Sequence, residues 1–248
     1  MPTVAVILPA AGQSTRFGGL EKKPFVALDG RPVWQRSAEL FWSRSDVTAV
    51  RIVVSPDDDE FFRDRYRHVL AFLEVDVTVV MGGAERFESV ANALATIPDD
   101  VELVAVHDAV RPLCTPALVD AVFAAAAAHG AAMLAVPVAD TLKRVDADGR
   151  IVGTVDRAGV WAAQTPQVFR RDWLVEAYAK RAELTAPITD DAQLLEACGR
   201  VVVVVPGSSL NFKITTKVDL ELAEAVLKSR GAKAAPPAAR AFGDEAEW

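Results

Sequence analysis

The chain predicts an α/β fold, a mostly parallel sheet with helices on both faces and an inserted β-arm. Three observations carry that prediction. Short apolar, β-branched runs recur at 4–8, 47–54, 75–80, 101–106, 131–136 and 201–205, and the first is apolar at every position, as in a strand buried on both faces. Segments of helical period fill most of the gaps, at 33–43, 58–72, 85–97 and 116–129, which implies strand–helix–strand crossovers and parallel pairing. Between 138 and 164 the rhythm breaks into two short strand-like pieces around Asp148-Gly149, the turn chemistry of a hairpin.

Composition bounds the function classes. At 248 residues, 51% hydrophobic and 25% charged, the chain suits one large α/β domain, expected over 1–228, followed by an Ala/Pro-rich tail at 229–248 expected to be disordered. A net charge of −7 argues against nucleic acid and anionic membrane surfaces as partners, so any bound anion must meet local Arg and Lys. No run reaches the roughly 18 apolar residues of a membrane span. Cys114 and Cys198 stand far apart without CxxC spacing, which excludes a disulfide framework or zinc site and fits a reduced, cytoplasmic setting.

Taken in order, the elements place their chemistry at strand ends. The first strand breaks into Pro9-Ala10-Ala11-Gly12 and a small polar loop carrying Arg16, then Lys22-Lys23. Small residues let backbone N–H groups approach an anion, and Arg16 and Lys23 can supply charge to a triphosphate. The loop is neither a GxxxxGK[ST] nor a GxGxxG loop. The third strand ends in Gly82-Gly83, and the helix that follows carries Ser89, either a ligand to base or phosphate or a plain helix serine. The fourth strand ends in His107-Asp108-Ala109-Val110-Arg111-Pro112. Asp108 is placed for a Mg²⁺ ion, directly or through water or substrate phosphates, and Arg111 either pairs with it or binds a second phosphate. His107, without a partner at metal spacing, reads as a neutral, hydrogen-bonded histidine.

The hairpin has little core of its own, so it either packs on another subunit or folds back on its own chain. It carries Thr141 and Thr154-Val155-Asp156-Arg157, and Gln164-Thr165-Pro166-Gln167 returns to the domain. Helical signals resume at 171–181 and 190–197. Thr189-Asp190 caps the second of these, which does not prevent it from presenting a hydroxyl to a ligand. Lys213, the only charge between Ser208 and Thr216, points to an inward, phosphate-facing role ahead of the last helix at 217–228.

PAAGQSTRFG followed by KKP resembles the signature of sugar-phosphate nucleotidyltransferases. With GGAER and Ser89, HDAVRP, DTLK, TVDR, TPQ, then TD and NFKIT in that order, residues 4–227 resemble the 2-C-methyl-D-erythritol 4-phosphate cytidylyltransferase family. The resemblance implies a Rossmann-like sheet, a homodimer held through the 138–164 arm, and a Mg²⁺-dependent transfer of CMP from CTP to methylerythritol 4-phosphate. It implies that Ala10, Ala11, Gly83 and Ser89 hold cytosine and ribose, and that Gly12 through Arg16 and Lys23 hold the triphosphate. Asp108 would serve ribose and metal. Arg111, Thr141, Arg157, Thr189 and Lys213 would bind the polyol phosphate, with Arg157 given by the other subunit and Arg16, Lys23 and Lys213 stabilising the developing charge. Departures are Ser14 in place of a glycine, Thr15, the order Lys23-Pro24, and Ala84 where members often carry Asp. Two rival readings are a cytidylyltransferase for another polyol phosphate, such as ribitol 5-phosphate, and a CTP-binding protein without catalysis.

Overall fold

The computed structural model describes residues 2–12, 22–183 and 188–234. In chain order the elements are β1 (Val4–Pro9), the small hairpin β2 (Ala27–Leu28) and β3 (Arg31–Pro32), α1 (Val33–Trp42), β4 (Val47–Val54), α2 (Asp59–Leu70), β5 (Asp76–Met81), α3 (Arg86–Leu94), β6 (Leu103–Val106), α4 (Pro116–His129), β7 (Ala131–Pro137), β8 (Leu142–Val145), β9 (Ile151–Val155), β10 (Trp161–Arg170), α5 (Arg171–Ala179), α6 (Asp191–Ala197), β11 (Val203–Pro206) and α7 (Lys217–Ala234). Seven strands form one sheet in the order β11-β7-β10-β6-β1-β4-β5, with β10 antiparallel to both its neighbours and the other pairs parallel.

The pleat divides the core in two. Val4, Val6 and Leu8 of β1 face one side, against Trp34 and Phe41 of α1, Phe62 of α2 and Val122 of α4. Ala5 and Ile7 face the other, against Val90 and Leu94 of α3, Leu174 of α5 and Leu195 of α6. Each of the large side chains is buried, contributing about 1.5–3 kcal/mol apiece. A third cluster joins Leu28 and Val33 to Val110, Leu113, Ile214 and Ala223, seating α7 beside the sheet's upper rim.

The chain leaves β1 for β4 on one side and later returns to place β6 on the other. That reversal opens a crevice beyond the carboxyl ends of β1 and β6, where ligands bind in open α/β sheets. The PAAG loop and the His107–Pro112 segment therefore flank one another, and Ala109 N–H donates to Pro9 O at 3.4 Å.

Two features depart from the pattern read in the sequence. The ten-residue β10 lies in the middle of the sheet, although its polar residues and Pro166 argue against a central strand. The conflict is absorbed by a break in its pairing with β7 between Ala163 and Gln167, where side chains rather than a ladder hold the backbone. Helix α7 also continues past 228 to Ala234, where Arg230 donates to Leu113 O at 3.0 Å and ties the added turn to the body. The rest of the expected tail lies outside the described residues.

The inserted hairpin is present as β8 paired antiparallel with β9, outside the main sheet. Asp146 accepts at its turn from the N–H groups of Asp148 and Arg150. Val145, Ile151 and Val152 on this arm are exposed.

Candidate active site

Backbone bonds set the rim of the crevice first. Ala10 N–H donates to Val53 O and Gly82 N–H to Val54 O, both at 2.7 Å, so the loops after β1 and β5 are stitched to the end of β4. Gly82 lies so close to Ala11 and the Ser89 hydroxyl that a Cβ there would collide with both. Gly83 N–H donates to Ser89 Oγ at 3.1 Å, and Glu85 and Glu88 close a capping box at the start of α3.

A cavity of about 370 Å³ results, lined by Pro9 to Gly12, Lys23, Gly83, Ser89, Asp108 and Lys213 among others. A second cavity of about 250 Å³ adjoins it, lined by Arg111, Gln164, Thr165, Gln167, Thr189 and Asp190. Arg86, Asp108 and Lys213 line both, so they form the seam.

Asp108 is the hub of that seam. Its Oδ2 lies 3.1 Å from Lys213 Nζ and 3.3 Å from Arg111 Nε. Burial pushes this carboxyl up, and the charges of Lys213, Arg86 and Arg111 push it down by more, so it stays ionised well below the usual carboxylate range. Arg111 is held from its far side by Asn211 O at 2.7 Å. Asn211 in turn donates from its amide to Thr165 O at 2.9 Å and Gln164 Oε1 at 3.3 Å. Thr165 Oγ accepts from Asp108 N–H at 3.0 Å and meets His107 Nδ1 at 3.2 Å. His107 Nε2 lies 3.2 Å from Arg111 O, which only an Nε2–H tautomer satisfies. Burial lowers its pKa to about 4, with the Asp108 charge opposing, so the ring is neutral near pH 7, as its lack of metal spacing suggested.

Of the residues singled out by sequence, Ala10, Ala11, Gly12, Lys23, Gly83, Ser89, Asp108 and Lys213 meet at the first cavity, and Arg111 and Thr189 at the second. Asp190 caps α6 by accepting from Gln193 N–H at 3.0 Å, while Thr189 lines the second cavity with its hydroxyl donating to Gln193 Oε1 at 3.1 Å. Thr141 and Arg157 are exposed on the arm and line neither cavity. Arg16, Ser14 and Thr15 lie outside the described residues.

Sequence reading assigned no role to Arg86, Gln164, Thr165, Gln167 or Asn211. Strand-end placement already brings the Gly82-Gly83 turn toward Asp108, but GGAER by itself gives Arg86 no partner and no role. The other four depend on the β10 break, which the sequence hides.

Among the described residues no three metal-ligating side chains converge. Mg²⁺ fits here only as an ion carried on phosphate oxygens, since it needs just one or two carboxylates beside them. Both ion pairs of Asp108 fall on Oδ2, which leaves Oδ1 for such an ion.

Comparison with known proteins agrees with this geometry. The family model described as IspD, 2-C-methyl-D-erythritol 4-phosphate cytidylyltransferase, matches residues 4–229. A relative of that description from Frankia casuarinae is 47% identical over 227 residues, covering 91% of this chain and 82% of its own length. Another, from Pelotomaculum thermopropionicum, is 42% identical over 230 residues, covering 93% and 96%. The crystal structure of 2-C-methyl-D-erythritol 4-phosphate cytidylyltransferase from Thermus thermophilus matches with a TM-score of 0.73 at 32% identity, over 90% of this chain and 98% of that one. With a family model matching residues 4–229 and relatives 42–47% identical over more than nine-tenths of its length, the chain belongs to the 2-C-methyl-D-erythritol 4-phosphate cytidylyltransferase family.

Proposed function

We propose that the chain transfers CMP from CTP to 2-C-methyl-D-erythritol 4-phosphate, releasing pyrophosphate, in the non-mevalonate route to isoprenoid precursors. The observation that carries this reading is the pair of adjoining cavities with Asp108, Lys213 and Arg86 at their seam. The larger takes the nucleotide against Ala10, Ala11, Gly12, Gly83 and Ser89, and the smaller takes the polyol phosphate against Arg111 and Thr189.

No protein nucleophile is needed. A phosphate oxygen of the polyol phosphate forms a bond to the α-phosphorus of CTP in line with the bond to the β-phosphate oxygen, which breaks and leaves with its electron pair as pyrophosphate. The protein's work is to bring two anions together and to stabilise the charge on the pentacoordinate phosphorus and the leaving group. Lys23 and Lys213 line the nucleotide cavity, and Lys213, fixed by Asp108, reaches the seam where the new bond forms. Arg16 completes the triphosphate contacts in this reading. Mg²⁺, when bound with the triphosphate, neutralises phosphate charge, and Asp108 is the residue that would hold it.

The reading includes a homodimer. The arm's exposed Val145, Ile151 and Val152 suit an apolar contact with a second copy, which would carry Thr141 and Arg157 of one protomer to the polyol phosphate site of its partner. The reading also places the enzyme in the cytoplasm. Among the described residues no helix is long and apolar enough to cross a membrane.

Pyrophosphate release with CTP and Mg²⁺, run in parallel on methylerythritol 4-phosphate and ribitol 5-phosphate, tests the proposal. Preference for the first is expected. Preference for the second would move the substrate, and CTP binding without turnover on either would overturn the catalytic reading.

A further inference from the structure

Arg86 stands where the chemistry needs a cation, yet no motif assigned it a role. It is the first residue of α3, directly after the N-cap Glu85, and it lines the nucleotide cavity, the polyol phosphate cavity and a small cavity of about 50 Å³ beside α6. Its Nη2 donates to Asp191 Oδ2 at 2.8 Å. Asp191 is fully buried, and its other oxygen accepts from Tyr178 OH at 2.6 Å. A buried carboxylate held from α5 by a phenol is a rigid brace, and it pins one edge of the arginine fork. Among the described residues Asp191 is the one hydrogen-bond acceptor for this five-donor guanidinium, and Arg86 lines both cavities of the seam.

We infer that Arg86 contacts the transferring phosphate, binding an oxygen of the incoming polyol phosphate or of the α-phosphate at the seam, with Asp191 and Tyr178 holding its plane in place. The inference rests on the proposed cytidylyl transfer and deepens it. As the polyol phosphate oxygen bonds to the α-phosphorus and the bond to pyrophosphate breaks, negative charge concentrates between the two cavities. A planar cation fixed there beforehand stabilises that charge without reorganising during the reaction. The spacing of the braces fits this role. Lys213 and Arg111 are both spent in part on Asp108, whereas Arg86 is neutralised by a separate carboxylate on α6.

The plainer account is that Arg86 only satisfies Asp191 and ties α3 to α6. A pair of variants separates the two. Arg86→Met alone leaves Asp191 buried without its cation and can unfold the chain for that reason. The double variant Arg86→Met/Asp191→Asn removes both charges together and restores a foldable site. A structural brace predicts that the double variant recovers turnover along with its melting temperature. A phosphate contact predicts a native-like melting temperature with turnover still down by about 10²-fold or more, as for loss of one preorganised donor. It also predicts CTP affinity within a few-fold of the parent, and partial recovery in Arg86→Lys, which keeps charge but not the fork.

Titration of the full chain with inorganic phosphate, followed by calorimetry, keeps the inference separate from the proposed reaction. Affinity about 10-fold weaker in the double variant than in the parent supports the contact, even if the parent turns over neither polyol phosphate. Equal phosphate affinity, or restored turnover in the double variant, overturns it.

Discussion

At the scale of single residues, the site is a contest between burial and charge. Asp108 stays ionised in a buried place because Lys213 and Arg111 lie on its Oδ2 and Arg86 stands near. Replacing Lys213 with Ala removes a cation from the seam and frees Asp108 to repel the incoming phosphate, and kcat should fall by about 10²-fold or more. Lys23→Ala should act similarly at the triphosphate end; unchanged turnover in both would sink the assignment of roles. His107 makes a pH prediction. Burial holds its pKa at about 4 in the folded protein, against about 6.5 in the unfolded chain. Between those values the unfolded state carries the extra proton, so stability is present above pH 6.5 and is lost as pH falls toward 4. Asp108, with its pKa depressed, adds a further loss only below about pH 4. Urea unfolding at pH 7 and pH 5 should therefore show the parent losing roughly 2 kcal/mol more than His107→Gln between the two conditions. Equal losses would remove the histidine from the account.

At the scale of elements, β10 decides the site. Its interrupted pairing with β7 leaves the backbone of 164–166 to be held by Asn211, whose amide reaches Thr165 O and Gln164 Oε1 and whose carbonyl holds Arg111. Asn211 is wholly buried, so Asn211→Ala loses two hydrogen bonds and takes the amide donor away from Thr165 O. The expected cost is about 2–3 kcal/mol in a denaturant melt, with a raised KM for the polyol phosphate as Arg111 and Thr165 loosen. A melt unchanged within 0.5 kcal/mol, taken as a rough threshold for surface substitutions, would show that the strand break is held by other means. Helix α3 is the counterpart on the other side of the crevice, where the capping box starts it at the point that puts Arg86 against both cavities.

At the scale of the whole molecule, Thr141 and Arg157 are exposed on the arm and line neither cavity of their own chain. The proposed homodimer would carry them to the polyol phosphate cavity of a partner. Ile151→Lys together with Val152→Glu puts charge on the two most exposed large apolar side chains of the arm. Sedimentation should then report a monomer, and kcat/KM for the polyol phosphate should fall by about 10²-fold while CTP binding persists, because the arm's contacts are lost and the nucleotide cavity is not. A dimer that persists with full activity would reject the arm as the interface.

The sequence by itself determined the strand–helix alternation, the segments at the ends of β1, β5 and β6, the hairpin, and, apart from Arg16, Thr141 and Arg157, candidate residues that line the two cavities. These are local signals: apolar period, glycine pairs, and a carboxylate or cation set just past a strand. Tertiary structure alone decided that β10 crosses the middle of the sheet, because Gln164 and Pro166 look like loop until Asn211, 46 residues beyond Thr165, supplies the missing bonds. It also decided that Arg86 and Asp191, 105 residues apart, close on each other at the seam. A pairing over that distance has no sequence period to announce it. It follows from the order in which the strands pack, and that order places α3 and α6 on the same face of the sheet.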